Sequence, residues 1–441
     1  MQRLNLEKLE LFPFKSTVNE NGHLQISGCD CVNLARKYGT PLYILDEFTI
    51  RTQCRKFITE FKNRNQNTDV LYACKAFFCK ALALLLKQEG MGLDVVSGGE
   101  LAVAIATRFA CENIYFHGNN KSATELAEAL NYRVGHIVVD NFYELRLLNN
   151  LARKRNLKQK ILLRLSPSID AHTHKFTTTG VLDSKFGFAL ATGQAEEATA
   201  LAMQSTNLDL VGLHCHLGSP IFETSPYELA INLLTKFAKE MNSKYGFVMQ
   251  EFSPGGGYAV QYMRGKSAPT IEHYSQVLTD TLRKACHENE IVSPKFLIEP
   301  GRSIIAQAGV ALYTVGAMKE IPGLTTYVFV DGGMGDNIRP ALYDAQYEAL
   351  VANKAGMVET LTAKIAGRYC ESGDVLIKDT QIAQVNTGDL IAMPVSGAYA
   401  LPMSSNYNMA TRPAVIMIGD GKSRLIRRRE TYKDLIKLDL T

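Results

Sequence analysis

From about residue 48 the chain settles into one repeated alternation, and that alternation limits the possible folds more than any other feature. Short apolar, β-branched runs are each followed by a polar-amphipathic stretch of helical length. Eight runs predict strands: Val70–Cys74, Gly92–Val96, Ile114–Phe116, Ile137–Val139, Ile161–Leu165, Leu210–His214, Phe252–Ser253 and Phe296–Ile298. Segments such as Ala76–Glu89, Gly98–Thr107, Ser122–Asn131 and Phe142–Arg155 predict helices between them. Strands alternating with helices run parallel and are joined by crossovers. Eight such units over about 260 residues match the size of a closed (β/α)8 barrel. An open doubly wound sheet is the alternative, but no glycine-rich dinucleotide fingerprint follows the first strand.

After residue 308 the pattern changes to strands separated by turns, with few long helices. Val310–Val315, Thr326–Asp331, Asp374–Ile377, Leu390–Pro394 and Ala414–Ile418 predict a β-rich domain. The first 47 residues share its turn-rich texture and are expected to join it. The expected fold class is therefore α/β plus all-β: a TIM-type barrel over 48–308, and a C-terminal β-domain of 309–441 completed by the N-terminal segment 1–47. A length of 441 residues accommodates two or three domains.

With 46% hydrophobic and 21% charged residues the chain can bury a large core. Its net charge of +4 is spread out, apart from Arg424, Arg427, Arg428 and Arg429. That cluster reads as a solvated strand end, and no basic stripe interleaved with aromatics points to nucleic acid. No apolar run approaches a membrane span of about 20 residues. The charged N-terminus lacks a signal-peptide core. Nine scattered cysteines without a C-x-x-C pair predict reduced thiols and a cytoplasmic protein.

In a barrel, function collects at the C-terminal ends of the strands. The first strand closes on Lys75, where burial makes an amine nucleophilic towards aldehydes. A strand-end lysine also reads as an ordinary snorkelling side chain. The second strand brings Asp94, either a partner for Lys75 or a helix cap. The sixth gives His214 and His216, two residues apart and so on one face. With His172 and His174 they raise the question of zinc, but a metal needs three or four convergent ligands and no carboxylate pattern accompanies them. No metal is expected, and an imidazole can stack on an aromatic ring instead. The seventh strand ends in Gly255-Gly256-Gly257, whose backbone N–H groups can cradle a phosphate. The eighth ends Glu299-Pro300-Gly301-Arg302: a simple ion pair, or a carboxylate for a pyridinium nitrogen beside an arginine for an anion. An amine, a stacking imidazole, a phosphate loop and a pyridinium-directed carboxylate at one rim are what pyridoxal 5'-phosphate (PLP) requires.

The pattern resembles the fold type III PLP-dependent decarboxylases, and among them the diaminopimelate decarboxylase branch. The likeness runs through Tyr72-Ala73-Cys74-Lys75-Ala76, Phe116-His117-Gly118-Asn119-Asn120-Lys121, His214-Cys215-His216-Leu217-Gly218-Ser219, Gly255–Gly257 and Glu299–Arg302 in the barrel. It continues through Asn337–Tyr343, Cys370–Asp374 and Gly397-Ala398-Tyr399 in the β-domain. The resemblance implies that Lys75 anchors the cofactor covalently, that His216 stacks on its ring, and that Asp94 and Gly301 also line its site. Ser219 and Gly255 to Gly257 would hold the phosphate, and Glu299 would face the ring nitrogen. Arg302, Arg339 and Tyr343 would clamp a distal carboxylate, and Glu371 would take a distal ammonium. Tyr399 would touch cofactor and substrate, and Cys370 would reprotonate the product carbon. It further implies a homodimer in which the Cys370 loop serves the partner's site. Two local departures stand out: Tyr369 before Cys370, and Ser219-Pro220 where the family usually has Ser-Gln.

The expected activity is decarboxylation of meso-2,6-diaminopimelate to L-lysine. Two arginines and a tyrosine favour a substrate with a second carboxylate, which lysine and ornithine lack. The rival readings are a decarboxylase of another D- or carboxylate-bearing amino acid, as in siderophore assembly, a racemase on the same fold, and a non-catalytic PLP carrier. Glu299 speaks against the racemase, and Cys370, Tyr343 and Tyr399 speak against the carrier.

Overall fold

The computed structural model describes residues 8–171, 179 and 183–440. It divides into two compact units. One comprises Cys54–Ala259 and Ala268–Gly301; the other comprises the N-terminal residues through Gln53, the short segment Val260–Ser267, and the chain from Arg302 onward. His172 and His174 lie outside the described residues.

The first unit is a closed parallel barrel. Its strands are Thr68–Ala73, Gly92–Val95, Ile114–Phe116, His136–Val139, Gln159–Ser166, Leu208–His214, Glu251–Ser253 and Lys295–Ile298. Each pairs in parallel with its sequence neighbours, and the last closes on the first through Phe296 opposite Thr68. These strands are covered on both faces, which is why they read as unbroken apolar runs. Leu71, Tyr115, Val138, Leu162, Val211 and Leu297 pack together as one buried cluster that fills the barrel interior. Glu251, on the seventh strand, accepts a hydrogen bond from Tyr115 at 3.0 Å and lies 3.2 Å from His136.

Helix starts follow the capping rules. Ser122 and Glu125 form a reciprocal capping box at Ala123–Asn131, and Asn141 caps Phe142–Arg153. The first barrel helix begins later than the sequence implies, at Lys80. Before it, Cys74–Ala76 forms a single tight helical turn, so Lys75 sits just beyond the strand.

Lys121, in the Phe116–Lys121 motif, is a structural pin. Its buried ammonium donates to Gly118 O at 2.7 Å, Val138 O at 2.8 Å and Glu144 Oε1 at 2.7 Å. Removing one partner of a buried pair strands the other charge. Lys121→Ala is expected to cost about 3–5 kcal/mol of stability, read by urea denaturation. A loss below about 1 kcal/mol contradicts the structural role.

The second unit is β-rich. Leu42–Asp46 lies between Gly309–Ile321, antiparallel to it, and Ala414–Gly419, parallel to it. The N-terminal segment therefore contributes an interior strand, buried along its length. Lys422–Arg427 forms the edge next to Ala414–Gly419. Beyond it, Arg428 pairs with Asp434 at 2.6 Å, and Arg429 donates to the carbonyls of Pro41 and Tyr38. On the other side, Thr325–Val330, Leu361–Ala366 and Val375–Ile382 continue the sheet. Leu24, Ile26, Leu42, Ile44, Val310, Leu312, Ala414 and Ile416 fill its main core.

Candidate active site

In the barrel, the predicted residues collect at the C-terminal ends of the strands. Glu299-Pro300-Gly301 is stitched to the turn that presents Lys75. The Ala73 N–H donates to Pro300 O at 3.2 Å, and a Cβ on Gly301 would come within 2.9 Å of Ala73. Only glycine permits that approach, which fixes the half-buried Lys75 relative to Glu299. Asp94 lies beside the same turn, paired in register with Ala73.

Glu299 is the hub. Its Oε2 lies 3.1 Å from His214 Nε2, and its Oε1 accepts from Ser253 Oγ at 2.7 Å. His117 Nε2 lies 3.7 Å from both Glu299 Oε1 and Asp94 Oδ1. All four ionisable groups are buried. Burial pushes the Asp94 carboxyl up to about 8, with Lys75 opposing the rise and Glu299 adding to it. Glu299 moves the other way: against its burial, the adjacent His214 and the Ser253 hydrogen bond hold it well below the usual carboxylate range. Two neighbouring carboxylates thus share one negative charge at neutral pH, and it rests on Glu299. Burial keeps His117 neutral.

The glycine run does more than the sequence reading assigned to it. The Gly255 N–H donates to Ser253 Oγ at 3.1 Å, and the Gly256 N–H donates to His216 Nδ1 at 3.2 Å. Two of the three donors therefore orient side chains. His216 accepts at Nδ1, so its proton sits on Nε2, and burial keeps the ring uncharged. Gly255 and Gly257 have φ of +83° and +113°, the region that favours glycine. Ser219 is half-buried and follows Gly218 in the loop after the sixth strand.

PLP fits this rim. A half-buried lysine, an ionised carboxylate and a neutral imidazole are present together. Among the described residues, Asp94 Oδ1, His117 Nε2 and His214 Nδ1 are buried polar atoms without a hydrogen-bond partner. Each of these atoms calls for a partner, which a bound cofactor with its polar groups could supply.

The remaining predicted residues belong to the β-rich unit. Arg302 and Arg339 are buried, at 7% and 6% exposure. Tyr343 ends the short helix Arg339–Tyr343 that Arg339 begins. The Arg302 guanidinium lies 4.7 Å from the Tyr399 ring centroid, and Tyr399 is held at φ +62°, a strained value for an aromatic residue. Two tyrosines outside the predicted set join them: Tyr262 accepts from Arg302 Nη1 at 2.9 Å, and Tyr347 accepts from Arg339 Nη1. Among the described residues no carboxylate pairs with Arg339.

Cys370 and Glu371 occupy the turn between Leu361–Ala366 and Val375–Ile382, and both are exposed. Asp374 shapes the turn by accepting from Tyr369 N–H at 2.7 Å and Met334 N–H at 2.6 Å. The Cys370 N–H donates to Asn408 Oδ1 at 3.1 Å, and Tyr407 Oη donates to Glu371 Oε1 at 2.7 Å.

A barrel whose rim unites Lys75, Glu299, His216 and a glycine run, accompanied by a β-domain, defines a PLP-dependent amino-acid decarboxylase. A family model described as "Pyridoxal-dependent decarboxylase, pyridoxal binding domain" matches residues 48–306. The chain is 46% identical to a diaminopimelate decarboxylase of Bacillus subtilis over 425 residues, covering 96% of this chain and 97% of that one. It is 43% identical to that of Bacillus methanolicus, covering 94% and 96% respectively. The crystal structure of M. jannaschii diaminopimelate decarboxylase in complex with L-lysine superposes with a TM-score of 0.91 at 33% identity, covering 97% of this chain and 98% of that one. The Helicobacter pylori structure, also complexed with L-lysine, gives a TM-score of 0.85 at 30% identity, covering 93% and 99%. The chain belongs to the diaminopimelate decarboxylase family and is a PLP-dependent carboxy-lyase.

Proposed function

We propose that the chain decarboxylates meso-2,6-diaminopimelate to L-lysine, the closing step of lysine biosynthesis. The observation that carries this reading is Arg339, a buried guanidinium next to Arg302 with no carboxylate of its own among the described residues. A buried cation of this kind calls for an anionic ligand, and guanidinium binds carboxylate in bidentate fashion. Diaminopimelate offers a carboxylate remote from the reacting carbon; lysine and ornithine do not.

Bound PLP supplies the electron sink that lets the α-carboxylate leave as carbon dioxide. Lys75 would hold the cofactor covalently, Glu299 would keep its ring nitrogen protonated, and the neutral His216 would serve as its stacking partner. Ser219 and the glycine run would bind the phosphate, with Gly257 offering its N–H because those of Gly255 and Gly256 already serve Ser253 and His216. Asp94, mostly protonated at neutral pH, spares Glu299 a second nearby charge. Arg302, Arg339 and Tyr343 take the distal carboxylate, Glu371 the distal ammonium, and Tyr399 contacts both cofactor and substrate. The Cys370 thiol gives a proton to the product carbon as a positioned general acid.

We also infer a homodimer in which Cys370 serves the partner's site, in keeping with its exposure here. A cytoplasmic location accords with cysteines that form no disulfide among the described residues. Among the described residues, no helix is long and apolar enough to cross a membrane.

The test is a substrate panel with the PLP-loaded protein. It is expected to release carbon dioxide and lysine in equal amounts from meso-diaminopimelate, and to leave lysine and ornithine intact. Cadaverine or putrescine as the main product refutes the assignment. Arg339→Ala is expected to raise KM for diaminopimelate by roughly 10–100-fold, the worth of a lost charge-assisted hydrogen bond. An unchanged KM removes the arginine clamp from the account.

A further inference from the structure

Tyr262 lies outside every motif that marks the cofactor or substrate site, yet it meets both clamp arginines. Arg302 Nη1 donates to its hydroxyl at 2.9 Å, while the Arg339 guanidinium lies 4.9 Å from its ring centroid. One phenol thus engages both guanidiniums: Arg302 donates to its oxygen, and Arg339 lies 4.9 Å from its ring centroid and pulls on the same hydroxyl. Tyr347 packs edge-on against it, with ring centroids 5.5 Å apart, and accepts from Arg339.

The chain fastens this tyrosine on both flanks. Gln261 donates to Glu10 at 2.6 Å. The Arg264 N–H donates to Glu348 Oε1 at 2.6 Å, and its guanidinium bonds the other oxygen of the same carboxylate. Glu348 directly follows Tyr347, so a single ion pair ties the two tyrosine-bearing segments together. Arg264 also reaches Glu359 at 3.5 Å. Two adjacent guanidiniums repel each other. A carboxylate between them would restrain them but would also discharge the site; a neutral phenol restrains them and leaves their charge for a ligand.

We propose that Tyr262 is a positioning residue that holds Arg302 and Arg339 side by side for the substrate's distal carboxylate, and so helps set the preference for a diacid. This rests on the clamp reading of the two arginines. The groups facing Tyr262 are Arg302, Arg339 and Tyr347, with Tyr399 against Arg302. Burial pushes the phenol up, but the two arginines outweigh it and hold Tyr262 below its ordinary value of 10. Once ionised, the phenolate neutralises an arginine and competes with the substrate. KM therefore rises as pH climbs towards that ionisation.

The test compares parent, Tyr262→Phe and Arg339→Ala holoenzymes, with cofactor absorbance confirming that each folds and loads. Tyr262→Phe is expected to raise KM for meso-diaminopimelate about tenfold, with kcat changed less than about threefold, and to abolish the alkaline rise in KM. Tyr347→Phe is expected to raise KM in the same direction. If Arg339→Ala raises KM while Tyr262→Phe keeps the parent KM and alkaline limb, the role of Tyr262 is overturned and the clamp stands. If Arg339→Ala itself leaves KM unchanged, the clamp fails and takes this inference with it. An equal fall in kcat and kcat/KM for Tyr262→Phe also overturns it, since positioning for binding does not predict that split.

Discussion

Glu299→Gln is expected to keep the cofactor bound but to lower kcat by roughly 10²–10³-fold, the usual worth of one preorganised electrostatic contact. The wild-type carboxylate is fixed by His214 at 3.1 Å and Ser253 at 2.7 Å, and on the proposed role its negative charge would keep a ring nitrogen protonated. The amide preserves size and most hydrogen bonding but carries no charge. Glu299 is also one of the groups that raise Asp94, so its neutralisation moves the Asp94 ionisation downward from about 8. The pH profile of the variant is expected to reflect that shift. Stopped-flow absorbance and carbon dioxide release check both points. A variant with the parent kcat means that the ring nitrogen does not depend on Glu299.

Cys370→Ala is expected to lower the rate of lysine formation by roughly 10²–10⁴-fold while the cofactor stays attached, because it removes the proton donor and spares the anchor. Cys370 is exposed and held through its own N–H by Asn408, so the substitution leaves packing largely intact. The sharper test mixes Cys370→Ala with Lys75→Ala protein after dissociation and reassembly. If Cys370 acts in the partner's site, half the dimers are mixed and each carries one intact site, so about a quarter of the parent activity returns. If Cys370 and Lys75 serve the same site from one chain, none returns. Full activity of Cys370→Ala alone excludes the thiol as donor.

The barrel was legible because parallel strands buried on both faces read as plain apolar runs; all eight appear within a few residues of their expected bounds. The β-domain was legible only in part. Leu361–Ala366 and Lys422–Arg427 carry no strand signal because their polar residues mask any apolar run. The late helix start at Lys80 was hidden too, since the Cys74–Ala76 turn depends on contacts with Pro300 and Gly301. Among site residues, rim positions stood out because strand ends mark themselves. Tyr262 and Tyr347 did not: a tyrosine in a loop carries no sequence sign that an arginine distant in the chain will reach it. Their spacing predicts that His214 and His216 share one face, yet one bonds Glu299 and the other accepts from the Gly256 N–H. His214 ends its strand and His216 lies past it, so the alternation rule does not govern both.

The central claim is that one amine at the barrel rim holds the cofactor, and borohydride reduction followed by peptide mapping tests it most directly. Reduction of the PLP-loaded protein is expected to place a stable pyridoxyl phosphate mass on the peptide carrying Lys75 and on no other. A tag on another lysine, or no tag on any peptide of a protein that still decarboxylates, contradicts the account.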